Sequence, residues 1–348
     1  MTLHRRQILA AGLTLGAMSL FPGMSWAQAR KLVFATFTGS WEEAHRDVIV
    51  PHFRKATGNA DIALDPMLSV DMIAKVSAAK ANPPIDVMLM DPGPRLSVIG
   101  QDLAAPFPAD DSKNYKDLLP VAQLPEGPGI FFQAVGITYN PEKVKTPPTS
   151  WDDLWKPEYK GRVGITNMNS TLGTAFMVEL AKTRGGGEND IEPAFAALKE
   201  LQPNLGAVAP NPGALATLFQ QGQIDISPGN FNAIQILRAR GVPVEFAKPK
   251  TGTIAFLTTA HITKNSPNAK LAAALIESAM APEVQTKLMQ APFYVIPTNS
   301  KVQMDGDIAR MIAKDQEELK ASFVFHDWSV INRNRAGWIE RFNKEIKV

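Results

Sequence analysis

The chain has 348 residues, 36 of them Lys or Arg against 34 Asp or Glu, and it contains no cysteine. This balance leaves no basic stripe of the kind that nucleic acid or an anionic membrane surface selects, and the missing thiols exclude disulfides, thiolate metal sites and a cysteine nucleophile. The length suffices for two domains of ordinary size, and nothing repeats at a fixed period.

Residues 1–29, MTLHRRQILAAGLTLGAMSLFPGMSWAQA, carry Arg5 and Arg6, an uncharged apolar run from Ile8 to Phe21, and small residues at Ala27 and Ala29. That is the three-part layout of an export signal, and its apolar run is too short to span a bilayer comfortably. The arginine pair resembles a twin-arginine signal, with the general secretory route left open. Cleavage takes away two arginines and no acid, so the expected mature product is balanced in charge. It is expected in the periplasm without a lipid anchor, because no cysteine follows the signal. No later apolar run reaches membrane-spanning length.

Along the rest of the chain, Lys31–Phe37 reads as a short strand and Trp41–Ala56 as an amphipathic helix stopped by Gly58. Ile62–Leu64 is a strand, Ser69 an N-cap for the helix VDMIAKVSAAK, and Ile85–Met90 a buried strand halting at a DPGP turn. Strand, helix, strand, helix, strand at this spacing predicts parallel βαβ units. Ile130–Asn140 is again strand-like and runs into a Pro/Lys/Thr-rich boundary. A second alternation follows: strands at 163–165, 224–227 and 242–246, with helices at 171–181, 191–201, 215–221 and 233–240. Thr253–Ile262 reads as a long return strand, and 269–280 and 282–290 as helices that pack on a sheet. Ligands of open α/β sheets sit outside the carboxyl ends of the strands, so two such lobes facing each other define a cleft.

The segment TSWDDLWKPEYKGRV, Thr149–Val163, resembles the stretch after the first hinge in periplasmic solute-binding proteins of ABC importers, in the spermidine/putrescine-binding branch. AVGITYNPEKV resembles the first hinge strand, VPVEFAKPKTGTIAF the second, and the stretch from Pro267 to Val302 the late helices with their Tyr-x-x-Pro-Thr-Asn turn. The resemblance covers most of the chain after the signal. It implies an α/β, type II two-lobed periplasmic-binding-protein fold, each lobe a mixed, mainly parallel sheet flanked by helices and hinged by crossing strands. Lobe one is expected over 30–137 plus 253–310 and lobe two over 138–252, with 311–348 as C-terminal helices on lobe two. It further implies a monomer that delivers a small solute to membrane permease subunits, without cofactor or catalysis. The prolines at 147, 148 and 157 stiffen the exit from the hinge. Trp151, Trp155 and Tyr159 are read as core anchors of that elbow, which delivers Ser170 and Thr171 to the cleft.

A polyamine site needs carboxylates at its ends and aromatic faces between. Here the loop Thr166–Gly173 carries no acid, and Thr258 stands in the return strand where one is expected. Asp91-Pro92-Gly93-Pro94 replaces an aromatic pair, and Asn230 or Phe231 replaces a tryptophan. A buried ammonium without its carboxylate loses several kcal/mol. The expected ligand is therefore a zwitterion or a small organic anion or amine, with a typical polyamine as the alternative. Asp91 is the one acid placed in the cleft, Trp41 beside Thr38 and Ser40 supplies stacking, and Tyr294 completes the set. Other roles stay open: Ser170 and Thr171 as helix caps, Asp91 as a brace of its turn, Asn230 and Phe231 as loop packing, Tyr294 as hinge packing.

An exported enzyme is the reading of another class. No G-x-S-x-G elbow, phosphate loop or dinucleotide fingerprint supports it. The five histidines lack metal-ligand spacing, and the four tyrosines are never adjacent as ferric-ion capture prefers.

Overall fold

The computed structural model describes residues 31–347; the expected export signal lies outside them. The chain opens with β1 (Leu32–Thr36) and a helical stretch of three parts: α1 (Ser40–Ala44), a π-type turn over His45–Ile49, and α2 (Val50–Thr57), ended by Gly58 in the left-handed region. Then come β2 (Ile62–Pro66), α3 (Ser69–Ser77), β3 (Val87–Met90), α4 (Pro92–Gly100), β4 (Ala104–Ala105) and the eleven-residue β5 (Gly129–Tyr139). β6 (Val163–Thr166), α5 (Thr171–Thr183), α6 (Glu192–Leu201), β7 (Leu205–Ala209), α7 (Pro212–Gln220), β8 (Ile226–Asn230), α8 (Phe231–Ala239) and β9 (Glu245–Ala247) make the second alternation. β10 (Thr253–Thr263) returns, followed by α9 (Ala269–Met280), α10 (Pro282–Met289), β11 (Ile296–Pro297), α11 (Gly306–Met311), α12 (Gln316–Ser322), β12 (Phe323–Val324) and α13 (Trp328–Glu345).

The mixed α/β architecture is as the sequence implies. β1 is parallel to β2 and β3, and β6 is parallel to β7 and β8, so each alternation builds its own parallel set. β3 is buried at every position, as a strand covered on both faces must be. The two sets are not separate sheets. Pairing runs β2-β1-β3-β10-β5-β8-β6-β7 without a break, because β5 is long enough to serve both. Its residues 129–135 pair with β10 and its residues 135–139 with β8, both antiparallel.

Four local expectations are corrected. The DPGP turn after β3 is the start of α4, because Pro92 and Pro94 fall in a first turn that lacks amide acceptors anyway. The strand expected to end at Ser227 continues through Pro228 and Gly229 to Asn230. β6 pairs with β8 only at Ile226, so the proline faces an unpaired edge. Ser69 is not an N-cap: it sits inside α3, and its hydroxyl donates to Leu89 O (3.4 Å) and accepts from Asp91 N–H (3.3 Å). β7 is a strand where the sequence pattern shows none, its residues 206–208 being only partly covered.

The elbow is built as read. Ser150 and Asp153 form a reciprocal capping box, with Asp153 accepting from the amides of Thr149 and Ser150. Trp151 is buried edge-on to Phe176, and the Trp155 indole N–H donates to Ala197 O at 3.1 Å. Arg162 then grips Asp225 with two bonds of 2.7 and 2.9 Å, joining the elbow's exit to the start of β8.

β12 pairs with the start of β10, and α13 spans both halves. Its last turns lie on α6, where Arg341 covers the Phe195 ring and Glu345 pairs with Lys199. Its first turns lie on α4: Asn332 donates to Gly93 O at 2.7 Å, and a Cβ at Gly93 would collide with the Trp328 ring. A large aromatic seated on a bare glycine holds this end of the helix on α4.

Candidate functional site

A cavity of about 260 Å³ lies where six strands give way to helices, at the junctions β1–α1, β2–α3, β3–α4, β6–α5, β7–α7 and β8–α8. Every one of these junctions is a strand carboxyl end followed by a helix N-terminus, so unpaired backbone N–H groups and positive dipole ends converge there. The floor is Gln133 from β5 and Phe256 from β10.

Seven of the ten residues read from the sequence line this cavity: Thr38, Ser40, Trp41, Asp91, Ser170, Thr171 and Asn230. Three do not. Phe231 is buried behind it, edge-on to Phe246 and Tyr294. Tyr294 packs on that ring in the left-handed region at φ 52°. Thr258 is fully buried and acts through Gln133, whose amide donates to its hydroxyl at 2.8 Å. All three serve the wall rather than the space: the two rings fill the core beneath a strand end, and Thr258 braces Gln133.

Trp41 stacks on Phe131 with centroids 4.4 Å apart and planes 8° apart, so the protein already covers one of its faces. The π-type turn beneath it directs His45 into the core, where it meets Thr36 Oγ1 at 2.8 Å and the Trp41 carbonyl. Burial pushes the His45 imidazole down to about 4.

Asp91 organises the polar wall. Its carboxylate accepts from Gln133 Nε2 at 3.0 Å and faces the Thr171 hydroxyl. Because a carboxylate only accepts, the Gln133 amide must turn its nitrogen toward Asp91 and its oxygen away. That oxygen takes a bond from Asn230 Nδ2 at 3.0 Å, which leaves Asn230 Oδ1 without a protein donor among the described residues. Burial raises the Asp91 carboxyl to about 6, against the lowering effects of the Thr171 bond, Arg335 and the Gln133 bond. Ser170 holds the N-cap position of α5 without a side-chain capping bond, and Thr171 turns its hydroxyl to Asp91, so neither is used as a cap. Gly173 allows the first turn of α5 to lie on the carbonyls of Thr166 and Asn167, where a Cβ would collide.

The sequence reading missed Gln133, Glu43, Arg240 and Arg335. It also placed Asp91 as the sole acid of the cleft, whereas Glu43 lines the cavity too, paired with Arg240. The helical period could have exposed Glu43, which lies three residues from Ser40 on the same first turn. Gln133 carried a weaker signal, as a lone amide inside the apolar run IFFQAV. Among the described residues no group of three or more His, Asp or Glu could hold a metal ion, and no helix is long and apolar enough to cross a membrane.

The family model described as bacterial extracellular solute-binding protein matches residues 82–334. The chain belongs to the bacterial extracellular solute-binding protein family. Within it, a spermidine/putrescine-binding periplasmic protein of Escherichia coli (strain K12) is 30% identical over 154 residues, 43% of this chain and 42% of that protein. The match thus spans less than half the length of that relative. A Salmonella typhimurium periplasmic protein named for 2-aminoethylphosphonate binding is 22% identical over 291 residues, 79% of this chain and 81% of the relative. Among solved structures, the periplasmic binding protein AgtB of A. tumefaciens R10, in complex with agropinic acid, superposes with a TM-score of 0.77. It is 18% identical and aligns over 91% of this chain and 99% of its own. At that identity the likeness establishes the shared fold.

Proposed function

We propose that this family member is the periplasmic solute-binding component of an ABC importer. It captures a small zwitterion between two lobes, 30–137 plus 253–310 and 138–252, and presents it to permease subunits without altering it chemically. Export by the signal at 1–29 and a monomeric state belong to the same reading. The observation that carries it is one cavity wall with opposite polarities. Asp91 attracts an ammonium group, while the bare start of α5, with Ser170 beside it, suits a carboxylate or phosphonate. The volume falls just under the range of ~300–1,000 Å³ usual for ligand pockets, which favours a compact solute. The spermidine/putrescine relatives and Glu43, a second acid on the cavity, favour a polyamine instead. However, Glu43 is held by Arg240, and that lowers its pull on a second cation.

Titration calorimetry over aminoalkylphosphonates, amino acids, organic acids, putrescine and spermidine tests the proposal. Saturable binding of a zwitterion, with the ligand recovered unchanged, is the expected result. Tight binding of polyamines alone, or turnover of any compound, overturns it.

A further inference from the structure

Four residues of α13, at positions 328, 331, 332 and 335, lie on one helix face along the seam between the halves. Trp328 covers Gly93 and meets Phe256, which is part of the cavity floor. Asn332 holds the Gly93 carbonyl, two residues after Asp91. One turn later Arg335 holds the other side: its guanidinium donates to Thr174 Oγ1 (3.0 Å), Met168 O (3.2 Å) and Asn169 O (2.9 Å), around Thr171. A single helical turn therefore grips both loops, the one that carries Asp91 and the one that carries Thr171. Arg335 does not line the cavity, yet it is close enough for its charge to act on Asp91.

We infer that Arg335 is a positioning residue that sets the selectivity of the solute cavity, by fixing the Asn167–Thr171 loop and by placing a permanent positive charge behind Asp91. This rests on the reading of the cavity as a solute site. With Arg335 in place, Asp91 is compensated by the protein, and Glu43 is compensated by Arg240. The cavity region is then neutral overall, and a net-neutral guest that brings one charge of each sign disturbs it least. A dication adds positive charge beside Arg335 and is rejected. The groups facing the Asp91 carboxyl from the neighbouring elements are Arg335 on α13 and the uncharged Thr171 on α5 and Gln133 on β5, while Ser69 on α3 accepts from the Asp91 backbone N–H. Arg95, on α4, is drawn to Glu126.

Two measurements on Arg335→Met, Arg335→Lys and Asn332→Ala test this. In the ligand-free protein, the Asp91 carboxyl is titrated by carbon NMR. Loss of the charge in Arg335→Met moves its titration upward by about one pH unit or more, while Arg335→Lys and Asn332→Ala leave it in place. An unmoved titration in folded Arg335→Met overturns the inference. At about pH 8, where Asp91 is mostly ionised, calorimetry with 2-aminoethylphosphonate and putrescine as probes reads selectivity. The affinity for putrescine relative to the zwitterion rises about tenfold or more in Arg335→Met, one charge being removed at short range; an unchanged ratio overturns the inference. If Arg335→Met does not fold, Arg335→Lys decides. It keeps the charge and loses the planar fork, so zwitterion affinity falls about tenfold, and wild-type affinity overturns the positioning role. If the wild-type protein binds neither probe, the proposed ligand class falls, and the titration still decides whether Arg335 governs Asp91.

Discussion

Glu43 and Arg240 meet at the edge of the cavity, one guanidinium nitrogen lying 3.1 Å from each carboxylate oxygen. Glu43 continues the first turn of α1, and Arg240 is the C-cap of α8, so the pair ties the two alternations together. Asn232 reaching toward Ser40 at 3.4 Å is a second, weaker tie between them.

Both partners of this pair are substantially exposed, so its removal changes little in the folded ground state. We expect Glu43→Gln to lower unfolding stability by less than ~1 kcal/mol. The same substitution should speed release of bound solute severalfold, because the tie must break before the halves part. Urea unfolding and stopped-flow release measure the two effects; a large stability loss with unchanged release contradicts the assignment.

Asp91 is a destabilising group kept at a binding wall. Its folded carboxyl titrates near 6, above the ordinary value of 3.8, so the folded state holds a proton that the unfolded chain has lost between those two pH values. Its contribution therefore falls as pH rises through that window and is fully unfavourable above it. We expect Asp91→Asn to stabilise the ligand-free protein above pH 7 by ~2 kcal/mol and to lose binding of amine-bearing solutes. Urea titrations at neutral and acid pH check the first part, and calorimetry the second.

The histidines act in the opposite sense. His45, His261 and His326 are buried, and burial, the largest effect on each, pushes all three down to about 4 from 6.5. His261 is held by the Glu126 carbonyl at 2.9 Å and the Thr259 hydroxyl at 2.7 Å, and His326 lies beside Lys182. Unfolded chains take up protons that the folded protein refuses, so the stabilisation is complete above pH 6.5 and is lost as pH falls toward 4. Each contributes ~3 kcal/mol over that interval. Replacing His261 with Gln should flatten the acid limb of the stability curve; an unchanged limb contradicts this.

Gly173→Ala would drive a methyl group into the carbonyls of Thr166 and Asn167. Backbone gives way less readily than a side chain, so we expect ~1–3 kcal/mol of destabilisation. Solute affinity should fall with it, because Thr171 is carried out of reach of Asp91. Thermal melts and calorimetry on this variant, with Gly187→Ala as a control in open surroundings, separate the two.

Much of the fold was legible because apolar runs at strand spacing alternate with helical ones, and the elbow residues around Trp151 behave as their size dictates. The junction residues Ser40, Asp91 and Ser170 could be placed on a cavity for the same reason: strand ends in such folds point one way. Legibility failed where a residue's role depends on a partner distant in sequence. Thr258 and Phe231 lie at the right register but face the core, and nothing local distinguishes inward from cavityward at a fully buried position. Arg335 lies 244 residues from Asp91, on a helix whose face is decided by a bare glycine on another element. DPGP and ISPGN misled because proline and glycine signal a turn, yet proline also suits a first helical turn or an unpaired strand edge.

β5 and β10 are the longest strands and lie side by side at the middle of the pairing order. Any swing between the halves must flex these ribbons where β5 changes neighbours, near Val135, and both are buried along their whole length. The axle of the molecule is thus its most sheltered backbone. Amide protons there should outlast all others in deuterated water, even while the rims of the mouth come and go.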